Sequence, residues 1–289
     1  MYRSIQPKTG LPATGIGLRT RHYNAFRSRR PELPFIEVHA ENHLAGGMMR
    51  RMLHELRPDY AISLHCVGMS IGSSTLDAAH VKRIRTLVDD IDPLLVSDHL
   101  SVSVLDGVYT NDLFPLAYTE EALDLACLHV DQVQSLLGRQ LLVENPSRYF
   151  SYAHSTISEP QFLEALAERT GCGLLCDVNN VYVTALNEGQ DPLAALVAFP
   201  SRHVRELHLA GHDKVQVGAD TILIDTHDRP VCADVWRLFE TAGAFFEGAP
   251  ALVEWDSELP ELEVLLEEAA RADAIRNISK RKVTHAAAR

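Results

Sequence analysis

The sequence predicts an α/β protein of the (β/α)8 TIM-barrel class, and three observations carry that prediction. Eight short apolar runs alternate with longer stretches of helical apolar spacing, the pattern of parallel strands buried on both faces with helices between them. The chain has 289 residues, enough for one such barrel and a sizeable core. The third to eighth runs each end in a residue able to bind a metal: His65 in AISLHC, His99 in LLVSDHLS, Glu144 in LLVENP, Asp177 in GLLCDVNN, His208 in VRELHLAG and Glu254 in ALVEWD. In a closed barrel those six side chains converge on one mouth, at the strand ends where barrel enzymes build their active sites.

The first strand falls at 15–18 and the second at 35–40. A helix at 46–56 leads to the third strand at 61–66, and a helix at 75–91 leads to the fourth at 94–99. Residues 101–115 (SVSVLDGVYTNDLFP) carry Asp106-Gly107 between β-like runs, which predicts an inserted hairpin. A helix at 119–137, stopped by Gly138, precedes the fifth strand at 140–144. Ser158, Glu159 and Pro160 start a helix at 159–170, Gly171 stops it, and the sixth strand follows at 173–178. Asp191-Pro192 opens a helix at 192–199 before the seventh strand at 204–210. Residues 215–229 read as a second short hairpin. A helix at 232–242, the eighth strand at 251–255 and a helix at 259–272 complete the pattern. Both hairpins are expected at the C-terminal face of the strands. Residues 1–276 read as one domain, and 277–289 (NISKRKVTHAAAR) as a basic tail, disordered or loosely docked.

Charge narrows the function. Lys and Arg number 27 against 39 Asp and Glu, a formal net charge of −12, which argues against a protein that grips a nucleic-acid backbone. The five Cys, at 66, 127, 172, 176 and 232, form no CxxC and are odd in number, so reduced thiols are expected. Strand alternation turns Cys66 and Cys176 away from His65 and Asp177, toward the helices. The N-terminus lacks the apolar core of a signal peptide, and no stretch is apolar for the roughly 20 residues a membrane helix needs. A soluble, cytoplasmic protein with no membrane partner is the expectation.

Imidazole and carboxylate are the usual ligands of zinc, iron and manganese. A carboxylate can bridge two cations and lower their repulsion, so three His and three carboxylates suit a dinuclear centre. Glu144, midway through the set, is the candidate bridge. Six buried ionisable groups would be costly without a cation. Asn180, three residues after Asp177, and the pair Asp225 and His227 are candidates for a third metal; in an extended segment an i, i+2 spacing puts both side chains on one side. His212 and Asp213, in AGHD, are candidate catalytic residues whose role as ligand, ligand-orienting group or general base is open. Arg148 is a candidate anchor for a carboxylate or peptide carbonyl. Glu37, His39, Glu41, Asn42, Asp98, Asn145, Asn179 and His22 are further polar groups near the mouth, where a carboxylate can orient a ligand His.

The order His, His, Glu, Asp, His, Glu on strands three to eight resembles the xylose-isomerase-like barrel superfamily. Endonuclease IV-type enzymes of that superfamily hold three metals with a comparable set. Asp177-x-x-Asn180 stands where they have Asp-x-x-His, a departure at the third site, and Asp225-x-His227 matches their third-metal pair. The motifs GIGLRTRHYNAF, FIEVHAENHL, SLHCVGMSIG, SDHLS, DLFPLAYT, VENPSRYF, CDVNNVYV and ELHLAGH are similar to those of the multinuclear non-haem iron-dependent oxidative enzymes. That family includes the methanobactin-biosynthesis oxygenase and relatives that modify cysteines of ribosomally made peptides. The resemblance runs from roughly residue 10 to residue 270.

The resemblance implies two or three irons per chain in a mixed-valent Fe(II)/Fe(III) centre, with O2 as co-substrate. His65, His99 and Glu144 would hold one metal; Glu144, Asp177, His208 and Glu254 the next; Asn180, Asp225 and His227 a third. The substrate would be a Cys-containing precursor peptide, presented by a separate leader-binding partner protein. Products in the family include oxazolone–thioamide pairs, thiooxazoles and excised carbons. The hairpin at 101–115 could dock an extended peptide by strand addition. Competing readings on the same barrel are a metal-dependent hydrolase or endonuclease IV-like phosphodiesterase, a sugar isomerase, and a non-enzymatic metal-storage or peptide-binding module. The acidic charge counts against the nuclease, and the full ligand set against the last.

Overall fold

The computed structural model describes residues 14–105, 107–246 and 248–287. Residues 1–13, Asp106, Glu247 and residues 288–289 lie outside the described residues, so the Asp106-Gly107 reading falls partly on them. In chain order the elements are β1 (Thr14–Gly17), α1 (Tyr23–Arg29), β2 (Phe35–His39), α2 (Gly47–Leu56), β3 (Ala61–His65), α3 (Ala78–Ile91) and β4 (Leu95–His99). A hairpin of β5 (Val102–Leu105) and β6 (Val108–Phe114) comes next. Then follow α4 (Glu120–Leu137), β7 (Leu142–Glu144), α5 (Glu159–Thr170), β8 (Gly173–Asp177), α6 (Val178–Asn187), α7 (Pro192–Ala198) and β9 (Val204–Leu209). A second hairpin, β10 (Asp213–Val217) and β11 (Asp220–Ile224), precedes α8 (Ala233–Phe245), β12 (Ala251–Val253) and α9 (Leu262–Ala287).

Eight parallel strands close into a barrel in the order β1-β12-β9-β8-β7-β4-β3-β2. This is the (β/α)8 class that the apolar runs predict. The register aligns the strand ends: His39 pairs with His65, His99 with Glu144, and Asp177 with His208. Because side chains alternate along each strand, the residues two positions earlier form the layer beneath. Glu37, Ser63, Ser97 and Glu206 belong to that layer, and all four are fully buried. The apolar core, including Ile62, Leu64, Val143, Leu174, Leu207 and Val253, packs the outer faces of the strands against helices.

Helix ends follow local chemistry. Asp77 caps α3 by accepting hydrogen bonds from the Ala79 and His80 amides, and Thr119 caps α4. Ser158 and Gln161 form a capping box with Pro160 in the first turn of α5. Gly138 and Gly171 end α4 and α5 as the sequence predicts.

Three features depart from the sequence reading. Helix α1 is seven residues long and carries two Arg in its last turn, so its apolar periodicity is faint. Helix α6 starts directly at the end of β8 with no intervening turn residue. Its β-branched VNNVYV segment reads as strand continuation, and the Asp177 carboxylate that accepts from the Asn180 amide starts the helix. The last helix continues through 277–287, the segment read as a loose tail. Among the described residues no helix is long and apolar enough to cross a membrane.

Candidate metal centre

The six strand-end residues are brought together at the C-terminal mouth of the barrel and are all buried. His65 Nε2 lies 3.5 Å and His99 Nε2 3.4 Å from the same Glu144 oxygen, Oε2. Glu144 Oε1 lies 4.0 Å from His208 Nδ1, which also contacts Glu254 Oε2 at 3.1 Å. Two donor groups therefore share one carboxylate: His65, His99 and Glu144, and Glu144, Asp177 and His208.

The donors fit a cation. Among the described residues Glu144 Oε2 and Asp177 Oδ2 are buried without a hydrogen-bond partner, a costly arrangement that a bound metal would relieve. The far nitrogen of His65, Nδ1, contacts Ser97 Oγ at 2.8 Å, which leaves Nε2 facing Glu144. Imidazole nitrogen with carboxylate oxygen suits zinc, iron or manganese.

Asp225 and His227 lie on the loop after β11, not on a strand as their spacing suggests, yet they meet, with His227 Nε2 2.7 Å from Asp225 Oδ1. His227 has φ 47°, an uncommon conformation for a non-glycine residue. The backbone is tied on both sides: His227 N–H donates to the Gly211 carbonyl, and the His227 carbonyl accepts from Asp256 N–H. A Cβ on Gly211 would sit 2.1 Å from the Arg229 carbonyl oxygen, so only glycine fits where the two segments cross. His227 Nδ1 is 3.5 Å from Glu254 Oε2, which joins this pair to the main cluster. Asn180 is present too, but its amide is engaged: it accepts from Ser147 Oγ and donates to the Asn145 carbonyl, with Glu144 Oε1 3.4 Å away.

The residues singled out for catalysis are placed differently. His212 is buried beside the ring of Tyr182, with Nδ1 2.8 Å from Asn179 Oδ1; Asn179 in turn donates to Asp225 at 2.7 Å. It therefore meets the centre through Asn179. Asp213 begins β10 and pairs with Arg229. Arg148 is not free to anchor a substrate: its guanidinium is held by Glu159, by both oxygens of Glu188 and by the Tyr118 hydroxyl. It faces a separate cleft formed with α5, α6 and α7.

The sequence reading passed over Arg19 and Asp256. Arg19 is buried just beyond β1 and reaches Asp256, Glu254 at 3.3 Å and His39 Nε2 at 3.0 Å. It is the counter-charge on that side of the acidic mouth. Its signal was its place just past the end of the first strand, where a search for metal donors ignores a cation. Asp256, two residues after Glu254, shares its side of an extended segment. A cavity of about 220 Å³ opens above the cluster, between His65, His99, His227 and Glu254 below and Asn111, Asp112 and Tyr149 at the side. The first hairpin thus forms one wall.

Burial and neighbouring charge set the protonation. Burial, with His99 beside it, holds His65 well below its ordinary value, and burial brings His99 to about 4. Both rings are neutral at pH 7 and ready to bind metal. Burial pushes Asp177 up to about 6 and Glu144 well above the carboxylate range. Burial opposes the charge on His208, but Glu37 and Glu254 outweigh it and raise that ring well above its ordinary value. His227 is raised in the same way, chiefly by Asp225. The metal-free fold therefore keeps protons on His208 and His227 at pH 7, and a cation must displace them. Metal uptake is expected to release protons at neutral pH, and affinity is expected to rise with pH. Calorimetry in buffers of different ionisation enthalpy measures this; a buffer-independent heat would contradict it.

Residues 13–277 match the family described as RiPP precursor modification enzyme MbnB/TglH/ChrH. The chain belongs to this family. Relatives of the MbnB/TglH/ChrH chain include UPF0276 proteins of Vibrio vulnificus (strain YJ016), 46% identical over 91% of each chain, and of Rhizobium meliloti (strain 1021), 48% identical over 83% of this chain and 79% of that one. Among solved structures it is similar to an L-ribulose 3-epimerase, with a TM-score of 0.61, 14% identity and 96% and 98% of the two chains covered. It is also similar to a xylose isomerase domain protein from Planctomyces limnophilus, with a TM-score of 0.56, 14% identity and 94% and 98% covered. At such identities the structures show a shared xylose-isomerase-like barrel. The MbnB/TglH/ChrH membership shows an enzyme of the kind that modifies precursor peptides, on a barrel that carries candidate metal-ligand clusters.

Proposed function

We propose that this protein is a multinuclear non-haem iron enzyme that uses O2 to oxidise cysteine residues of a ribosomally made precursor peptide. The observation that supports it most is the sharing of Glu144 between two buried donor triads, in a chain whose family modifies precursor peptides. His65, His99 and Glu144 would hold one iron, and Glu144, Asp177, His208 and Glu254 the second. Asp225 and His227, with Asn180 behind them, would hold a third. When bound, the irons supply a redox couple, positions open to a soft thiolate donor, and the means to reduce O2.

The chain's own residues do the rest. Ser97 orients His65, Asn179 orients Asp225, and Arg19 offsets the charge of Glu254 and Asp256. His212 acts through Asn179, Arg148 braces the loop after β7, and Asp213 with Arg229 braces the start of the second hairpin. The wall formed by Asn111 and Asp112 borders the path of an extended peptide, and its two-stranded sheet offers an edge for strand addition. A separate partner protein that presents the leader, and a cytoplasmic location, belong to the same reading.

Protein purified without oxygen from iron-57-fed cells tests the proposal by elemental analysis and Mössbauer spectroscopy. Two or three coupled irons per chain, and an O2-dependent mass change in a Cys-containing precursor peptide, are the expected results. Zinc alone, surviving iron supplementation, would move the assignment to a hydrolase. Asp225→Ala is expected to lower occupancy at the third position only; loss of all metal together would show that this position is not separable.

A further inference from the structure

Beneath the six strand-end donors lies a second cluster, which shares His208 with them. Glu37 on β2, Glu206 on β9 and His208 place donor atoms within 4.8 Å of one another, and all three are completely buried. Glu206 stands two residues before His208 on one strand, so both point into the barrel. Glu37 Oε2 accepts from Ser63 Oγ at 2.8 Å. Among the described residues, Glu37 Oε1, both oxygens of Glu206 and His208 Nε2 have no hydrogen-bond partner. Nε2 is nevertheless 3.3 Å from Glu37 Oε1. The other nitrogen, Nδ1, faces Glu144 and Glu254.

A ring can present only one nitrogen to a metal while the other keeps its proton, and the partner of that proton fixes tautomer and orientation. Within this triad the one N–H able to satisfy the stranded carboxylate oxygens is that of His208 Nε2. We infer that Glu37, held by Ser63 and backed by Glu206, is the positioning residue for the second metal: it accepts a hydrogen bond from Nε2–H and so aims Nδ1 at the position shared by Glu144 and Asp177. Glu37 touches neither metal nor substrate.

This inference rests on the metal-centre reading, but not on iron or O2, so the test uses zinc and iron(II) separately. Apo-protein is loaded with two equivalents, and loss to a chelator is followed for the wild type, Glu37→Ala, Glu37→Gln and Ser63→Ala. Glu37→Ala is expected to release one of the two metals on the order of 10- to 100-fold faster, with the other retained. Glu37→Gln keeps an acceptor oxygen and is expected to restore retention; Ser63→Ala should fall between. Glu37→Ala also removes the buried counter-charge of His208, so its metal-free melting temperature is expected to fall, and the selective loss of one metal with rescue by Gln is what marks positioning. Two wild-type release rates in Glu37→Ala would overturn the assignment. So would equal loss of both metals in the Ala and Gln variants, which marks a merely structural role. Zinc retention that follows the expected order in a protein that rejects iron would leave Glu37 its role and refute the iron oxidase. A wild type that binds neither metal would remove both.

Discussion

Glu144→Gln is expected to strip both principal metals and abolish turnover. The carboxylate is buried at the end of β7, with one oxygen toward His65 and His99 and the other toward His208. It is the one side chain common to both donor triads. An amide keeps the shape but carries no charge, so two cations would face each other across a neutral group in a medium of low dielectric. Loss of a partner that only orients a ligand costs about 10- to 100-fold in metal affinity; loss of a shared ligand should exceed about 100-fold at each position. Elemental analysis and a peptide-modification assay read the result. A variant with full metal content would show that another group does the bridging.

Gly211→Ala is the second large effect expected, and it touches no metal donor. The added methyl would meet the Arg229 carbonyl oxygen at 2.1 Å, far inside van der Waals contact, against backbone that cannot rotate away. The crossing must open, and the His227 amide that donates to the Gly211 carbonyl moves with it. Asp225 and His227 then lose their shared register. Overpacking of this kind costs roughly 1–3 kcal/mol or more, seen as a lower melting temperature. The third position should empty while the two inner metals remain. Unchanged third-site occupancy would show that the loop is held from elsewhere.

The barrel was legible because its strands are near-continuous apolar runs, each followed by a donor or polar residue. That pattern belongs to the backbone period and survives without any knowledge of packing. The meeting of Glu144 with His99 was legible for the same reason: residues at equal depth on adjacent parallel strands must meet. What escaped depends on contacts made across the barrel. Arg148, adjacent to the mouth in sequence, turns toward Glu159 and Glu188, which come from a helix and a loop 11 and 40 residues later. Glu37 reads as one acidic residue among several near the mouth; only the register with Ser63 and the depth shared with Glu206 give it a partner. Asp225 and His227 were found by a spacing argument for strands, although a loop with a left-handed residue brings them together.

Cys66 and Cys176 each stand one residue from a candidate ligand, yet on the opposite side of the pleat. Cys66 groups with Glu41 and Asp98, not with His65. Burial pushes both thiols well above their ordinary range, so they stay protonated and are poor nucleophiles and poor metal ligands. For a catalyst whose proposed target is a thiol, this matters. The sheet works as insulation: a single layer of backbone separates the candidate metal centre from the chain's own sulfur, so the proposed oxidation of a peptide cysteine would leave Cys66 and Cys176 out of reach.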